Sequence, residues 1–330
     1  MPSAFVTGGS GFVGGRLIER LAAGGWAVAA LARSPRAADA VRTRGAEPVH
    51  GDLGEPATLV AGLQGADVCF HAAAKVEDFG TWPEFVAANV EGTRNVLRAC
   101  RAAGVGRLVH VSTEAVLMHG QPLVHADETY PLALRSPAPY SRSKAMAEQV
   151  VLEEGRGALD AVIVRPRFVW GCGDTTVLPV LVEGTRSGAF RWVGGGRHRT
   201  STTHVDNTVE GLLAAAEHGR AGRAYFVTDG APVVFRDFVG ELIATQGATP
   251  PQGSVPAPVA RALAAAGETA WKLLPLPGTP PLTRFASWVA SRECTLDDGR
   301  ARRELGYAPV KTREEGMREL RDAHAGDGGP

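Results

Sequence analysis

The sequence lacks most features of secreted, disulfide-stabilised or membrane-spanning proteins. It has only four cysteines in 330 residues, and they are widely spaced, without a CxxC pair or a Cys/His cluster. That spacing disfavours both a disulfide framework and a metal site. No apolar run reaches the roughly 18 residues that a bilayer-spanning helix needs, and a strand-like segment begins almost at once, which leaves no room for a signal peptide. We therefore expect a cytoplasmic protein without a bound metal.

An excess of charge of either sign is also absent. Lys and Arg together number 35, as do Asp and Glu, so the formal net charge is +0. A balanced chain has no general electrostatic attraction for nucleic acid or for an anionic membrane, and we expect no nucleic-acid partner. Hydrophobic residues make up 44% of the chain, which is enough for one large domain or two coupled ones.

The first half of the chain contains a regular alternation of short apolar segments and longer amphipathic ones. Runs such as LVHVS and AVIVR are largely apolar, as expected of strands buried on both faces of a parallel sheet. The pattern predicts strands at 3–7, 26–32, 48–51, 68–72, 107–112, 161–165 and 225–228, and helices at 14–23, 85–103 and 140–154. It predicts an α/β fold with a Rossmann-like, doubly wound parallel sheet.

The composition changes after Pro166, where segments rich in Gly and Pro begin. We predict an NADP-binding Rossmann domain over residues 1–170, to which 201–229 returns. The segments 171–200 and 230–330 are predicted to form a smaller C-terminal substrate-binding domain over the open end of the sheet.

A glycine-rich turn, TGGSGFVG, joins the first predicted strand to the first predicted helix. Gly8 would permit a tight turn, Gly11 would let the backbone approach a pyrophosphate, and Gly14 would let the helix pack on the strand. The spacing is GxxGxxG rather than GxGxxG, so a simple turn is the alternative. The position between strand and helix favours a dinucleotide site, which would also include Ser10, Phe12 and Val13.

The end of the second strand bears on the choice between NAD and NADP. Enzymes that use NAD place a carboxylate there for the ribose hydroxyls, whereas this chain reads LARSPR. Arg33 and Arg36 can pair with a 2′-phosphate, and Ser34 can donate a hydrogen bond to it. Two ordinary surface arginines are the alternative. We predict NADP(H) as the preferred cofactor and NAD(H) as the other candidate.

Further candidates follow the third and fourth strands. Asp52, next to Leu53, could accept a hydrogen bond from an adenine amino group or could simply stabilise a turn. The small residues after the fourth strand would leave space for a cofactor or for tight packing, and the lysine behind them would face the nicotinamide or the solvent. These residues are Ala72, Ala73, Ala74 and Lys75.

Tyr140 and Lys144 lie four residues apart at the start of a predicted helix, which places both on one face. A free tyrosine has a pKa near 10 and is a poor base at neutral pH, but a nearby cation favours the phenolate. The YxxxK spacing also occurs by chance. It gains weight from Thr113, which follows a predicted strand and offers a hydroxyl to hold a carbonyl or alcohol oxygen.

Together these motifs resemble the extended short-chain dehydrogenase/reductase family. The likeness rests on TGGSGFVGG, GDL, HAAA, VST, YSRSK and RPRFVWG, and it continues to ARRELGY near the C-terminus. Within that family the chain is most similar to the 3β-hydroxysteroid dehydrogenase branch, which includes decarboxylating sterol dehydrogenases and bacterial reductases of long-chain 2-alkyl-3-keto acids.

The resemblance implies roles for single residues. Tyr140 would be the general acid/base, Lys144 would lower its pKa and bind the nicotinamide ribose, and Thr113 would hold the reacting oxygen. Asn89 would support the active-site backbone next to the cofactor, or would be a buried structural amide, and Pro166 would line the cofactor. By analogy, the helices at 85–103 and 140–154 would pair in a homodimer.

The expected substrate is hydrophobic, a sterol or a long acyl chain with a β-hydroxy or β-keto group. The segment 259–277 is rich in Leu, Trp and Ala and could form an apolar lid, touch a membrane surface, or only close the core of the smaller domain. A sugar-nucleotide epimerase or dehydratase is the alternative, with Arg197, His198 and Arg199 near a position for gripping a diphosphate. A non-catalytic dinucleotide sensor is a further alternative, disfavoured by the Tyr/Lys pair.

Overall fold

The computed structural model describes residues 1–155, 157, 159–274 and 276–327. In the first half, strands and helices alternate as the apolar pattern predicts. They are β1 (Ser3–Thr7), α1 (Phe12–Ala23), β2 (Ala27–Ala32), α2 (Pro35–Thr43), β3 (Glu47–His50), α3 (Pro56–Leu63), β4 (Val68–His71), α4 (Trp82–Phe85), α5 (Gly92–Ala103), β5 (Arg107–Val111), β6 (Leu123–Ala126), α6 (Pro139–Glu154) and β7 (Asp160–Pro166).

The second half has shorter strands between its helices. They are β8 (Val169–Trp170), α7 (Leu178–Arg186), β9 (Trp192–Val193), β10 (Arg199–Thr200), β11 (Thr203–His204), α8 (Val205–His218), β12 (Ala224–Val227), β13 (Val233–Val234), α9 (Phe235–Thr245), β14 (Ser254–Val255), α10 (Ala257–Leu273), α11 (Arg284–Val289), β15 (Cys294–Leu296), α12 (Gly299–Leu305) and α13 (Arg313–Asp327).

Seven strands form the main sheet, in the order β12-β7-β5-β4-β1-β2-β3, and every neighbouring pair is parallel. The order reverses beside β1, so a crevice opens at the carboxyl ends of β1 and β4, where ligands bind in folds of this type. The predicted Rossmann-like fold is confirmed, including the return of the strand predicted at 225–228 to this sheet beside β7.

Apolar side chains cover both faces of this sheet, which is why its strands read as continuous apolar runs. On one face Leu17, Ile18 and Leu21 of α1 pack with Val6. On the other, Phe5 packs with the apolar side of α5. Full burial of each large apolar side chain contributes roughly 1.5–3 kcal/mol, so the two layers fix the sheet that positions the site.

The helix predicted at 85–103 is interrupted. Helical structure begins already at Trp82, and a π-helical turn (Val86–Glu91) separates α4 from α5. The Asn89 side chain lies in this turn and donates to the Ser143 hydroxyl at 2.9 Å. Such turns are rare inside α-helices, so the apolar spacing at 85–103 predicted an uninterrupted helix.

A smaller, four-stranded sheet has the order β13-β10-β15-β6. One of its strands, β6, comes from the chain segment between β5 and α6, so the first half of the chain contributes to it. A third apolar cluster contains Ala145 of α6, Phe226 of β12 and Trp288 of α11, and it joins this sheet to the main one. The domain boundaries at 170, 201 and 229 stay predictions.

The apolar segment 259–277, for which a lid, a membrane contact and a part of the smaller domain's core were the alternatives, lies mostly in α10 (Ala257–Leu273), and Pro275 is outside the described residues. Many of the large side chains of α10 face outward. Val259, Leu263 and Leu273 are 47%, 60% and 77% exposed, whereas Ala260 and Ala264 are buried. Among the helices that the structure describes, none combines the length and the apolar character needed to cross a bilayer.

Candidate active site

The glycine turn between β1 and α1 is packed directly on the end of β4. Gly8 has a φ of +74°, and a Cβ there would lie 2.6 Å from the backbone nitrogen of Ala73. A Cβ on Gly14 would lie 2.3 Å from the carbonyl oxygen of Gly8. Only glycine fits both places, because real Cβ atoms do not approach backbone atoms so closely. The tight turn predicted for Gly8 and the close packing predicted for Gly14 therefore have a direct steric cause.

The start of α1 presents free backbone donors. Its N-cap is Gly11, which is exposed, and no side chain caps the helix or adds an acidic group to the first turn. The first N–H groups of a helix have no partner within it and lie at the positive end of its dipole. This donor set fits the pyrophosphate of a dinucleotide. The neighbouring Ser10 is exposed, and Phe12 and Val13 are half-buried.

The carboxyl end of β2 leads into α2 through Ser34, whose hydroxyl accepts from the Ala37 N–H at 3.2 Å and caps the helix. Arg33 and Arg36 are exposed, and within the described ranges neither forms a salt bridge. A third cation, which the sequence did not reveal, is Arg44: its Nη1 donates to the Gly9 carbonyl oxygen at 2.9 Å. Arg44 sits beyond α2, so only the folded chain brings it to the glycine turn.

The loops after β3 and β4 border the same crevice. Asp52 accepts from the Gly54 N–H at 2.9 Å, and the Leu53 carbonyl accepts from the Asn95 side chain at 2.9 Å. The Ala73 N–H donates to the Thr7 hydroxyl at 3.2 Å, so the alanine loop (residues 72–74) is tied to β1. The adenine contact predicted for Asp52 stays a prediction.

Asn89 holds the backbone of the residue that follows the alanine loop. Its Oδ1 accepts from the Lys75 N–H at 2.7 Å, and its Nδ2 donates to the Lys75 carbonyl at 3.0 Å. The same Nδ2 reaches the Ser143 hydroxyl, which donates to the Tyr140 carbonyl at 3.0 Å. The Lys75 ammonium instead lies 3.6 Å and 3.5 Å from the carboxylates of Glu77 and Glu84. Asn89 therefore links this loop to α6.

Tyr140 and Lys144 occupy consecutive turns at the start of α6, and Thr113 follows β5. Buried Lys144 donates from Nζ to the Val111 carbonyl at 2.8 Å. The Phe285 ring of α11 packs edge-to-face against Tyr140, with 5.4 Å between the ring centres. The fold thus brings the three predicted catalytic residues to the ends of β5 and α6, under an aromatic cover.

Burial shifts the pKa of both the Tyr140 hydroxyl and the Lys144 ammonium. Desolvation lowers the pKa of Lys144 to about 8, and the nearby Glu148 carboxylate opposes this. Desolvation raises the pKa of Tyr140, the Glu114 carboxylate adds to the rise, and the Thr113 hydroxyl lowers it. With the Lys144 ammonium held at the Val111 carbonyl, Tyr140 is therefore kept protonated and suited to donate a proton.

Two buried ion pairs flank these residues, and sequence reasoning missed both. Arg165 on β7 pairs with Glu148, whose Oε2 also accepts from the Ser112 hydroxyl at 2.7 Å. Arg167 pairs with Glu114. The sequence contained a signal for each pair, because Glu148 lies one turn after Lys144 and Glu114 follows Thr113 directly. Both carboxylates were overlooked because charged residues are usually exposed.

A glycine turn at the reversal point of a parallel sheet, with a tyrosine and a lysine one turn apart beside it, is the arrangement of a dinucleotide-dependent oxidoreductase. The chain belongs to the 3-beta hydroxysteroid dehydrogenase/isomerase family, whose sequence profile matches residues 5–257. The predicted membership in the extended short-chain dehydrogenase/reductase class, and in this branch of it, is confirmed.

Similar proteins agree with this placement. A 4-hydroxy-2-methyl-3-oxo-4-farnesyl-3,4-dihydroquinoline-1-oxide ketoreductase from Stigmatella aurantiaca is 49% identical over 97% of this chain and 96% of its own length. A 2-alkyl-3-oxoalkanoate reductase from Stenotrophomonas maltophilia is 38% identical over 97% of this chain and 98% of its own. The dTDP-glucose 4,6-dehydratase of Streptomyces venezuelae, solved with NAD, superposes with a TM-score of 0.76 at 25% identity, over 99% of this chain and 98% of that one.

These findings confirm the prediction of an enzyme that interconverts alcohols and ketones with a nicotinamide dinucleotide. The observed bounds of the strands and helices differ slightly from the predicted ones; for example, β3 ends at His50 rather than at Gly51. The roles predicted for individual residues, and the preference for NADP(H), are taken up as proposals below.

Proposed function

We propose that this enzyme interconverts a secondary alcohol and a ketone on a hydrophobic β-hydroxy or β-keto compound, with Tyr140 as the general acid/base. The observation that carries the proposal is the placement of Tyr140 and Lys144 beside Thr113 at the end of β5. The Phe285 ring against Tyr140 supports an apolar substrate, because it places an aromatic side chain beside the proposed reacting position.

The proposed chemistry uses few groups of the chain. The bound nicotinamide supplies or accepts the hydride. Tyr140 gives its hydroxyl proton to the substrate oxygen in reduction, or takes it in oxidation, and Thr113 helps to hold that oxygen. Lys144 orients the ribose and supplies positive charge near the phenolate. Where the substrate has a carboxylate β to the ketone, decarboxylation can follow without a further catalytic residue.

We infer that NADP(H) is preferred over NAD(H). Arg33 and Arg36 are exposed near the start of α2 with no carboxylate between them, which suits a 2′-phosphate and offers nothing to two ribose hydroxyls. The remaining contacts of the dinucleotide are assigned to the glycine turn, to the loops after β3 and β4, and to the residues around Tyr140. These residues are Gly8, Ser10, Gly11, Phe12, Val13, Gly14, Ser34, Asp52, Leu53, Ala72, Ala73, Ala74, Lys75, Asn89, Tyr140, Lys144 and Pro166.

The sugar-nucleotide alternative receives less support from the same region. His198 stacks on Phe235 with 4.8 Å between the ring centres, and its Nε2 lies 3.2 Å from the Val289 carbonyl. Arg199 donates to the Pro232 carbonyl at 3.1 Å. Because His198 and Arg199 already have these partners, they are poorly placed to bind a diphosphate. The names of the two relatives above also describe ketone substrates with apolar chains rather than nucleotide sugars. A sensor without chemistry would not need the Tyr140 and Lys144 pair.

A substrate screen tests the proposal. The purified enzyme is incubated with NADPH or NADH and, in parallel, with long-chain 2-alkyl-3-keto acids, 3-keto steroids and UDP- or dTDP-sugars, and products are identified by mass spectrometry. We expect turnover of at least one apolar ketone class with NADPH favoured. Turnover of the nucleotide sugars alone would refute it.

We also infer a homodimer formed through α5 and α6, and contact of α10 with a membrane surface through Val259, Leu263 and Leu273. Sedimentation velocity of the purified enzyme tests the first, with a monomer at micromolar concentration refuting it. Co-sedimentation with phosphatidylcholine vesicles tests the membrane contact. We expect Leu263→Ser to weaken vesicle binding, and no binding by the native enzyme would refute the inference.

All four cysteines are free, which supports a reducing compartment such as the cytoplasm.

A further inference from the structure

Arg44 crosses the first helix to reach the glycine turn. It is the residue at which α2 ends, and its Nη1 donates to the Gly9 carbonyl oxygen at 2.9 Å. Its Nε lies 3.6 Å from the Glu19 carboxylate of α1. The Arg44 side chain is 30% exposed, so the guanidinium lies against the protein rather than in open solvent. The end of α2 is therefore tied to the backbone of the turn.

Gly15 leaves the space in which the Arg44 guanidinium lies. The three atoms nearest to a Cβ placed on Gly15 all belong to that guanidinium, namely Cζ and Nη1 at 2.4 Å and Nε at 2.7 Å. A side chain at this position would displace the group, because real Cβ atoms do not approach other atoms so closely. Glycine is disfavoured inside a helix, and Gly15 is not one of the three glycines of the GxxGxxG spacing. The contact with Arg44 gives this glycine a separate cause.

The Arg44 contact also sets the orientation of one peptide of the turn. Arg44 is the one partner of the Gly9 carbonyl among the described residues. The peptide bond between Gly9 and Ser10 is trans, so this carbonyl and the Ser10 N–H point in opposite directions from one rigid plane. The N–H is thus directed away from Arg44, on a turn whose Ser10 and Gly11 are exposed. In the part of the chain that the structure describes, the Ser10 N–H has no acceptor, which leaves it to an anion.

We propose that Arg44 is a positioning residue for the dinucleotide, which orients the Ser10 N–H toward the pyrophosphate through its hydrogen bond to the Gly9 carbonyl. Gly15 serves the same contact by leaving room for the guanidinium. The proposal rests on the proposed function, which places a dinucleotide at this turn. Because Arg44 acts through the backbone and the pyrophosphate is common to both dinucleotides, it supports NADPH and NADH equally, in contrast to Arg33.

The test measures the Kd of NADPH and of NADH by fluorescence titration for the native enzyme, Arg44→Ala, Gly15→Ala and the double variant. We expect each single variant to raise both Kd values roughly 10-fold, because each removes the hydrogen bond that fixes the turn. Gly15→Ala keeps the charge of Arg44 and only displaces it, and alanine is the better helix former, so this variant should fold even where Arg44→Ala does not. The double variant should bind no more weakly than Arg44→Ala, because both changes remove one contact.

Arg42→Ala is the matched control. Arg42 is an exposed arginine of the same helix, and its Nη1 donates to the Asp39 carboxylate at 2.8 Å rather than to the glycine turn. We expect native Kd values for both dinucleotides in this variant. Urea unfolding of every variant, followed by tryptophan fluorescence, verifies that a change in Kd is measured on folded protein.

Four results would overturn the proposal. Native affinity in both single variants would leave the Arg44 contact a structural one. A loss confined to NADPH would make Arg44 a ligand of the 2′-phosphate. A loss in Arg44→Ala that Gly15→Ala does not share would assign the effect to the charge, and losses that multiply in the double variant would show two separate effects. A native enzyme that binds neither dinucleotide would instead refute the proposed function.

Discussion

Replacing Arg165 with leucine removes the ionic partner of the Glu148 carboxylate, which has no access to water. Glu148 is 0% exposed and Arg165 is 2% exposed, and Nε of the arginine donates to the two carboxylate oxygens at 3.1 Å and 3.0 Å. In Arg165→Leu, the Ser112 hydroxyl is the one hydrogen-bond partner that the carboxylate keeps among the described residues. Breaking a buried pair by removing one partner costs roughly 3–5 kcal/mol, so we expect a loss of that size in the free energy of unfolding at pH 7.

Urea unfolding followed by tryptophan fluorescence measures this loss, and the double variant Glu148→Leu/Arg165→Leu is the control. Because it removes both charges of the pair together, we expect the double variant to regain part of the stability, but not the part that Glu148 contributes by favouring the charged form of Lys144. The Arg42→Leu variant is a second control, since Arg42 and its partner Asp39 are 58% and 74% exposed and exposed pairs contribute less than about 1 kcal/mol. An Arg165→Leu protein within about 1 kcal/mol of the native one, or a double variant as unstable as the single, would contradict the reasoning.

Three more predictions follow from the site. Gly14→Ala should weaken dinucleotide binding at least about 10-fold, because its Cβ would lie 2.3 Å from the Gly8 carbonyl oxygen, whereas Gly106→Ala, with no atom within 4 Å of the added Cβ, should bind normally in the same fluorescence titration. The folded-state pKa of Lys144 is lowered to about 8, so the unfolded chain binds more protons between that pH and about 10.4. In urea unfolding, native stability relative to Lys144→Met should therefore rise across this window, by up to about 3 kcal/mol; a constant difference would exclude a lowered pKa. Arg33→Glu should raise the Kd of NADPH about 10-fold while leaving that of NADH nearly unchanged, and an equal effect on both would refute the 2′-phosphate contact.

The sheet could be predicted from sequence because its strands are buried on both faces and its helices on one. Segments such as 107–112 are therefore apolar throughout, and 14–23 is apolar at helical spacing. The glycine turn was predictable for a related reason: its backbone approaches are too close for a side chain, and glycine is the residue that permits them.

The features that sequence reasoning missed depend on contacts between distant residues. Glu114 and Arg167 are separated by three elements, β6, α6 and β7, and nothing in either local sequence indicates that they pair in the interior. Arg44 meets the glycine turn only through the path of α2, and the π turn at Asn89 is a rare insertion that the spacing of apolar residues did not predict. For α10, composition left a lid, a membrane contact and the core of the smaller domain as alternatives, and it did not indicate which apolar side chains would be exposed to solvent.

The most direct test of the central claim is the Tyr140→Phe variant with binding and turnover measured on the same sample. We expect it to retain NADPH binding in the fluorescence titration, while reduction of an apolar 3-keto substrate falls by about 100-fold or more. The Tyr225→Phe variant, which removes a hydroxyl that donates to Glu304 of α12 at 2.9 Å, should keep native turnover. Native rates in Tyr140→Phe would contradict the account, because the reacting oxygen would then receive its proton from another group.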